Sequence, residues 1–422
     1  MINEGGRTMA ADRVIFHIDC NGFYAAVECL DDPSLCSVPM AVAGDPEARS
    51  GIILAKNELA KAYGIQTAET VYQARRKCPD LVLVPPRSAR YREVSGRVKA
   101  LFAEYTDQVE SFGLDEAWLD VTGSLRYFRA TPRELADRIR LRVKEEIGIT
   151  VSVGVSYNKV FAKLGSDLKK PDATTVITCE NYQRLIWPLP VTAMLFVGHT
   201  AAEQLHKLGI RTIGEMAQAD PAALEKMLGK GGPALWRYAN GLDDAPVLHV
   251  GEREPAKSIG NGMTFRRDLV GWDELKSALI ALADEVASRL RAEQVKCAAL
   301  QVTIKNPELK SICRQTVLPH PTHLQKELVE EGMKLLRANW REKSPVRALT
   351  LTAQQLIADE ELQEQVDLTD SCGAVRDKFE QAEAAMQKLR RRYGRSSIVM
   401  GFTGDEELGL KRVRHQPVVS DE

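Results

Sequence analysis

The chain has 422 residues, of which 44% are hydrophobic, and its formal net charge at pH 7 is −1. This length exceeds what one compact core accommodates, so several domains are expected. We expect no membrane association and no secretory signal in residues 1–11, because no apolar run approaches the roughly 18 residues of a membrane span. The eight cysteines form no CxxC pair, so a cytoplasmic protein with reduced thiols is predicted.

The first predicted element is an apolar strand at 13–19, which ends in a carboxylate, Asp19. Asn21 and Gly22 then predict a tight turn, and 23–30 predicts a helix. Backbone N–H groups at such a helix start can bind phosphate. Before Pro85 the sequence also predicts a strand at 52–54 and a helix at 57–63.

Two further carboxylates, Asp115 and Glu116, lie at a predicted turn between strands. The order strand–helix–strand–strand–helix–strand is the ferredoxin-like pattern, here with a lobe inserted after its first strand. This pattern places Asp19 on a strand next to the Asp115–Glu116 turn. The elements concerned are a helix at 88–105, strands at 108–112 and 116–122, a helix at 132–147 and a strand at 150–155.

Three carboxylates in apolar stretches need positive charge nearby, because burying an unpaired carboxylate is very costly. Metal ions or a cationic substrate are therefore expected. Two magnesium ions held by such a cluster are the machinery for transferring a nucleotidyl group. The alternative is that each acid lies at a strand end, in solvent or in a salt bridge.

The second half of the chain predicts a helical segment and then a smaller mixed domain. A helix–hairpin–helix around Gly198 and His199 would direct backbone N–H groups at a phosphate without reading a base, although a plain helical turn is the alternative. After a proline-containing linker come helices at 272–293 and 322–340 and strands at 298–305, 311–318 and 347–354.

Charge is distributed unevenly over this half. Residues 256–358 contain 16 Lys and Arg against 11 Asp and Glu, whereas 359–422 contain 14 acids and 10 bases. A local basic surplus is typical of a nucleic-acid contact, even though the net charge is close to zero. Random variation in a solvated surface would give the same count.

Three segments resemble the palm motifs of the Y-family (lesion-bypass) DNA polymerases, the group that includes bacterial DNA polymerase IV and the UmuC-like enzymes. They read HIDCNGFYAAVE at 17–28, ESFGLDEAWLD at 110–120 and SVGVSYNKVFAKLGSDLKKP at 152–171. The resemblance runs from about Val14 to Leu356.

The resemblance implies an α+β, right-hand polymerase with a ferredoxin-like palm, small fingers, a helical thumb and a C-terminal little-finger domain. The domains are then palm at 12–22 and 86–176, fingers at 23–85, thumb at 177–248, linker at 249–255, little finger at 256–358 and a tail at 359–422. The implied function is template-directed, low-fidelity translesion synthesis by a monomer.

The resemblance also implies site residues. Asp19, Asp115, Glu116 and the Cys20 carbonyl would hold two Mg²⁺ ions, and Tyr24 would be the steric gate against ribonucleotides. The deoxynucleoside triphosphate would contact Asn21, Gly22, Phe23, Tyr24, Lys61 and Lys159. Primer–template DNA would contact Gly198, His199, Lys257, Ser258, Arg266, Arg314 and Arg347.

The chain departs from the family pattern at two places. In the fingers many members have a threonine, a tyrosine and an arginine where this chain has Ala55, Glu58 and Lys61. A second aspartate of many relatives is Asn21 here, so Asn21 is not counted as a metal ligand. Both departures are more typical of the UmuC-like branch than of the polymerase IV branch.

The tail segment Gln365 to Thr369 resembles the short peptide with which bacterial polymerases bind the replication sliding clamp, but it lacks the aromatic anchor. Clamp binding is predicted from its place after the little finger. A solvated linker before a helix at 374–393 is the alternative.

Two other functions remain open at this point. The turn from Gly113 to Glu116 resembles the Gly-Gly-Asp-Glu turn of nucleotide cyclases, which share the palm but lack fingers, hairpin and little finger. A non-catalytic DNA-binding protein would keep the body of a polymerase without its acids, whereas this chain has all three acids.

Overall fold

The computed structural model describes residues 13–45, 49, 51–361, 371–394 and 397–398. The chain divides into two compact units, one of Met1–Gly44 with Ile52–Arg253 and one of Asp45–Gly51 with Glu254–Glu422. The boundary between Arg253 and Glu254 falls inside the predicted linker. None of the described helices is long and apolar enough to cross a membrane.

The first unit is built on a five-stranded sheet with its first strand in the middle. The strand order is β5-β6-β1-β7-β8, and β1 pairs antiparallel with both β6 and β7. All six residues of β1 are buried, which explains its nearly unbroken apolar sequence. The strands are β1 (Ile15–Cys20), β5 (Val109–Phe112), β6 (Glu116–Asp120), β7 (Val151–Ser156) and β8 (Thr174–Val176).

Helices cover both faces of this sheet. Phe16 and Ile18 of β1 point into a core formed with α1 (Phe23–Asp31), α4 (Ser88–Ala103) and α6 (Pro132–Arg142). The alternate residues face α7 (Lys159–Leu168), the last helix before β8. Helix α6 continues into a wider turn, Val143–Ile147, and α5 (Leu125–Phe128) precedes it.

A glycine permits the close approach of α7 to the sheet. A Cβ on Gly154 of β7 would lie 1.8 Å from the Ala162 carbonyl oxygen and 2.4 Å from the Ser166 nitrogen. Any larger residue would push the helix away from the strand. The side chains of α7 are therefore held directly behind the strands that carry the acids.

A small second sheet follows α1 in the chain, with its own apolar core. Its strand order is β3-β2-β4, with β2 (Met40–Ala43) in the middle. Only β3 was expected from sequence, because β2 and β4 contain three or four residues each and show no alternation. The remaining elements are β3 (Ile53–Lys56), α2 (Glu58–Ala62), α3 (Val71–Lys77) and β4 (Val82–Val84).

The rest of the first unit is helical and packs around one cluster of buried residues. Thr212 caps the helix that begins at Ile213: its hydroxyl oxygen accepts a hydrogen bond from the Glu215 N–H, and the Glu215 carboxylate accepts one from the Thr212 N–H. The helices are α8 (Tyr182–Ile186), α9 (His199–Lys207), α10 (Ile213–Gln218), α11 (Pro221–Leu228) and α12 (Gly231–Ala239).

The second unit contains a four-stranded antiparallel sheet with two helices on one face. Its strand order is β11-β10-β12-β9. A third helix, α15 (Ser371–Tyr393), is attached by ion pairs, of which Arg390–Asp284 measures 2.8 Å and Lys296–Glu380 measures 3.0 Å. The others are β9 (Ser258–Leu269), α13 (Trp272–Ala292), β10 (Val295–Lys305), β11 (Ser311–Thr322), α14 (Gln325–Asn339) and β12 (Val346–Ala358).

Candidate active site

The sheet register brings the three predicted acids to one edge of the first unit. Asp19 of β1 is directly opposite Glu116 of β6. The Cys20 N–H donates to the Asp115 carbonyl oxygen at 3.0 Å, so the turn before β6 is fixed against the end of β1. The pairing of β1 with β6 thus brings together acids that are almost a hundred residues apart in the sequence.

A cleft of about 440 Å³ opens at this edge. Two of the predicted carboxylates lie in its wall, together with the start of α1 and residues of the small second sheet. Its lining residues are Asp19, Cys20, Asn21, Gly22, Phe23, Tyr24, Leu54, Ala55, Lys56, Glu58, Lys61, Thr67, Asp115 and Lys170.

Gly22 begins α1 in a left-handed conformation with φ of 54°. A Cβ there would lie 3.1 Å from the Lys56 carbonyl oxygen, so this turn favours glycine for both its conformation and its space. Asn21 helps to hold the turn, because its amide donates to Ser152 and accepts from the Asp172 N–H, both at 2.9 Å. The N-terminus of α1 is therefore open to the cleft.

The charged forms of Asp19 and Asp115 are disfavoured by their surroundings. Burial raises the pKa of Asp19 to about 6, although Lys170 Nζ contacts its Oδ2 at 2.7 Å and opposes that rise. Burial also raises the pKa of Asp115, and the nearby charge of Glu116 adds to the effect. A further cation beside these two groups would be stabilised.

Glu116 has a different environment. Its Oε2 accepts hydrogen bonds from His17 Nε2 at 3.1 Å and from Lys163 Nζ. Burial alone would raise the pKa of Glu116, but these two donors lower it to about 2. Glu116 is thus a carboxylate at neutral pH, and it does not line the cleft.

The donor set fits hard divalent cations, which bind carboxylate and carbonyl oxygens. Among the described residues, no three Asp, Glu, His or Cys side chains lie close enough together to form a metal site. Lys170 and Lys163 instead satisfy one oxygen each of Asp19 and Glu116. The raised pKa values of Asp19 and Asp115 are the feature that favours a metal ion here, because a cation would stabilise both carboxylates.

Lys159, which is predicted to contact phosphate, does not line the cleft. Its Nζ binds both carboxylate oxygens of Glu110, at 2.6 and 2.7 Å, and lies over the Trp118 ring. Lys170 does line the cleft, and its Nζ is 2.7 Å from Asp19 Oδ2. Lys170 follows α7 in the same sequence motif. Its position beside Asp19 is evident only from the path of the chain after the helix.

Tyr24 lies with its ring stacked on Tyr91, with centroids 4.3 Å apart and planes 11° from parallel. The Tyr91 hydroxyl donates to Glu28 at 2.5 Å, and Glu28 also pairs with Arg87. The ring of Tyr24 is therefore supported from behind by a buried side chain that is itself held in place. Sequence reasoning selected Tyr24 but not Tyr91.

Comparisons with known proteins agree with this geometry. A family model described as the impB/mucB/samB family matches residues 18–167, and the model of that family's C-terminal domain matches residues 256–368. The chain is 41% identical over 401 residues to DNA polymerase IV of Acetivibrio thermocellus, which covers 95% of this chain and 100% of that protein. DNA polymerase IV 1 of Bacillus subtilis is 38% identical over 395 residues, 94% of each chain.

A solved structure shares the fold. It is a Y-family DNA polymerase chimera named Dbh-Dpo4(243-245)-Dbh, with a TM-score of 0.71 and 24% identity, covering 82% of this chain and 99% of the other. The chain belongs to the Y family of DNA polymerases. The predicted family, α+β polymerase fold and enzyme class, a DNA-directed DNA polymerase, are confirmed. A cyclase is excluded.

The named relatives are DNA polymerase IV enzymes, although Ala55 and Asn21 had indicated a closer likeness to the UmuC-like branch.

The predicted DNA contacts of this polymerase differ in their surroundings. Gly198 is the N-cap of α9, and His199 is exposed beside Glu203. Lys257, Ser258 and Arg266 are exposed at or near β9.

Arg314 and Arg347 have more contacts or less exposure. Arg314 is in register with the buried Val302 and Leu351, on the helix-covered face, and it donates to Asn339 at 3.1 Å. Ser258 is in register with Gln354 on the opposite face, so Arg314 and Ser258 do not share one surface. Arg347 is half-buried.

Proposed function

We propose that this enzyme is a translesion DNA polymerase of low fidelity that extends a primer 3′ end by a two-magnesium mechanism. The observation that carries the proposal is the meeting of Asp19, Asp115 and Glu116 at one sheet edge, beside a cleft that also contains the start of α1. Primer–template DNA and deoxynucleoside triphosphates are its substrates.

Asp19, Asp115 and the Cys20 carbonyl would hold the metal ions, and Glu116 would help to hold the ion nearest the primer. When bound, two Mg²⁺ ions would lower the pKa of the 3′ hydroxyl and neutralise the triphosphate and leaving pyrophosphate. The raised pKa values of Asp19 and Asp115 support this assignment, because a bound cation would stabilise the charged forms of both carboxylates.

The triphosphate would be bound by backbone N–H groups at Gly22, Phe23 and Tyr24 and by the cations Lys61 and Lys170. Lys56 adds a third cation in the cleft wall. As Lys61 is a point charge where many relatives have a bidentate arginine, its contact would be less directional.

Low fidelity is inferred from the size of the fingers. The apolar core formed by β2, β3, β4, α2 and α3 is small, and the helices described there, α2 and α3, contain only five and seven residues. A loosely enclosed pair would be selected mainly by base pairing, which permits both errors and damaged templates.

The remaining parts of the proposal concern DNA grip and partners. The hairpin at Gly198 and the exposed residues of the edge strand β9 would bind the duplex backbone. The enzyme would act as a monomer in the cytoplasm. The predicted clamp peptide, from Gln365 to Thr369, lies outside the described residues and remains a prediction that a clamp pull-down with and without 363–370 would test.

Single-nucleotide extension tests the central claim. Asp115→Ala and Asp19→Ala should each abolish primer extension with Mg²⁺ while the affinity for primer–template, measured by fluorescence anisotropy, stays within about twofold. Extension by either variant at the wild-type rate would refute the assigned roles. Wild-type extension opposite an abasic site, compared with an undamaged template, tests lesion bypass in the same assay.

A further inference from the structure

A buried histidine lies directly behind the acidic edge of the sheet. His17 of β1 has no exposed surface, and it points to the face covered by α7. Its Nδ1 is 2.8 Å from Ser166 Oγ, and its Nε2 is 3.1 Å from Glu116 Oε2. Both ring nitrogens thus have partners, one from α7 and one from β6.

Counting protons assigns the state of this ring. Glu116 is a carboxylate and only accepts, so the hydrogen on the ring must be at Nε2. A neutral ring then has a bare Nδ1, which can accept the Ser166 hydroxyl hydrogen. The Ser166 hydroxyl also lies 2.8 Å from the Lys163 carbonyl oxygen, so it has two acceptors for one hydrogen.

Lys163 completes the set from the same helix. Its ammonium group contacts Glu116 Oε2, the same oxygen that accepts from His17. Within the described ranges no hydrogen bond reaches Oε1 of Glu116. Oε2 of Glu116 is therefore held by two donors, and Oε1 is available to another ligand.

We propose that Ser166, His17 and Lys163 are positioning residues, which fix Oε2 of Glu116 so that Oε1 is presented to a divalent cation. This inference rests on the proposed function, because the cation is the one assigned there to Glu116. None of the three residues touches the reacting atoms. They act as outer partners that orient a ligand, a role in which loss typically weakens metal affinity by about 10 to 100-fold.

The test measures metal binding without turnover. The full-length protein is bound to primer–template with a dideoxy-terminated primer and the next correct deoxynucleotide, and Mn²⁺ is titrated by electron paramagnetic resonance. His17→Leu and Lys163→Met should each weaken the binding of one Mn²⁺ by about tenfold or more. His17→Gln and Lys163→Arg, which keep a donor and a charge respectively, should recover most of that loss.

Ser156→Ala is the matched control for Ser166→Ala. Both serines are buried and lie within hydrogen-bond distance of a backbone carbonyl oxygen, but Ser156 contacts Ile177 and has no contact with His17. Ser166→Ala should weaken Mn²⁺ binding and Ser156→Ala should not. Equal Mn²⁺ affinity in wild type, His17→Leu and Lys163→Met would overturn the proposal. If the wild-type complex binds no Mn²⁺, the proposed function fails instead.

The ring itself gives a second readout that does not depend on a folded variant. Nitrogen-15 spectra of histidine-labelled protein, with His17 assigned from His17→Gln, should show the neutral Nε2–H tautomer. An Nδ1–H tautomer would overturn the proposal, because His17 could then not donate to Glu116.

Discussion

Tyr24, the residue predicted to be the steric gate, shows how one neighbouring side chain can fix the position of a ring in the cleft wall. Tyr24 and Tyr91 form a parallel stack, and Glu28 holds the Tyr91 hydroxyl from behind. An aromatic pair of this kind contributes about 0.5–1.5 kcal/mol beyond its buried area, so the Tyr24 ring has a preferred position in the absence of substrate.

We therefore expect Tyr24→Ala to raise ribonucleotide incorporation relative to deoxynucleotide incorporation by at least about tenfold, since a clash worth about 1.4 kcal/mol would be removed. Steady-state insertion of each nucleotide measures the ratio. Tyr63→Ala, an exposed tyrosine outside the cleft wall, is the control. An unchanged ratio for Tyr24→Ala would show that Tyr24 is not the gate.

Lys170 and Lys159 allow a direct comparison of two lysines from one motif. Lys170→Ala should raise KM for the incoming nucleotide by about tenfold, because a cation in the cleft is lost. Lys159→Ala should lower thermal stability, because Glu110 loses its ion-pair partner. The reverse pattern, with KM changed only in Lys159→Ala, would restore the original assignment of Lys159.

The raised pKa of Asp19 has a consequence for stability. The folded protein holds this proton up to about pH 6, whereas an unfolded chain releases it near 3.8, so the free energy of unfolding falls as pH rises between these values. Asp19→Asn removes the free-energy cost of ionising a buried carboxyl group at this position. We expect the variant to be more stable than wild type by about 1–2 kcal/mol at pH 8, after allowing for the lost Lys170 pair, and no more stable at pH 4. Denaturant melts at both pH values measure the difference. A stability gain that is equal at both would exclude Asp19 ionisation as its cause.

At the scale of elements, the contact between α7 and β7 sets the positions of Lys163 and Ser166. Gly154→Ala would place a methyl group against the backbone of α7, and we expect it to lower the free energy of unfolding by about 2–3 kcal/mol. Gly123→Ala, where an added Cβ meets nothing within 4 Å, should change it by less than about 0.5 kcal/mol. Urea unfolding of both variants measures these changes. Similar losses of unfolding free energy would show that α7 shifts to accommodate the methyl group at position 154.

Element prediction from sequence succeeded where periodicity was long. The helix expected at 272–293 is α13 (Trp272–Ala292), and the helix expected at 23–30 is α1 (Phe23–Asp31). Strands β2 and β4 were not expected, because their few residues are stabilised by pairing with each other rather than by local pattern.

The site was predictable in its acids but not in its cations. A carboxylate at the end of an apolar strand stands out in a sequence, whereas Lys170 is one of many lysines and reaches Asp19 only through tertiary structure. The surroundings of Arg314 depend on the sheet register, since a shift of one residue reverses the face. The domain boundaries inside the first unit remain predictions.

At the scale of the whole molecule, DNA binding has to rely on local charge, because the net charge is only −1. Binding should weaken steeply with salt, as counterions are released from each phosphate contact. Arg266→Ala, at an exposed position of β9, should reduce the slope of log affinity against log salt by about 1. Arg314→Ala should leave the slope unchanged, since its guanidinium is directed to Asn339. Equal reductions would place both arginines on the DNA. Anisotropy at several potassium chloride concentrations gives both slopes.

The contact between Lys170 and Asp19 bears on the order of events in a catalytic cycle. Without nucleotide the Lys170 ammonium group already neutralises part of the charge of Asp19, so a lone divalent ion has to compete with it. We expect the phosphates of an incoming nucleotide to attract this ammonium group away from Asp19, because Lys170 lines the same cleft. We expect Mn²⁺ and nucleotide to bind cooperatively, each raising the affinity for the other. Without nucleotide, we expect the enzyme to bind Ca²⁺ only weakly.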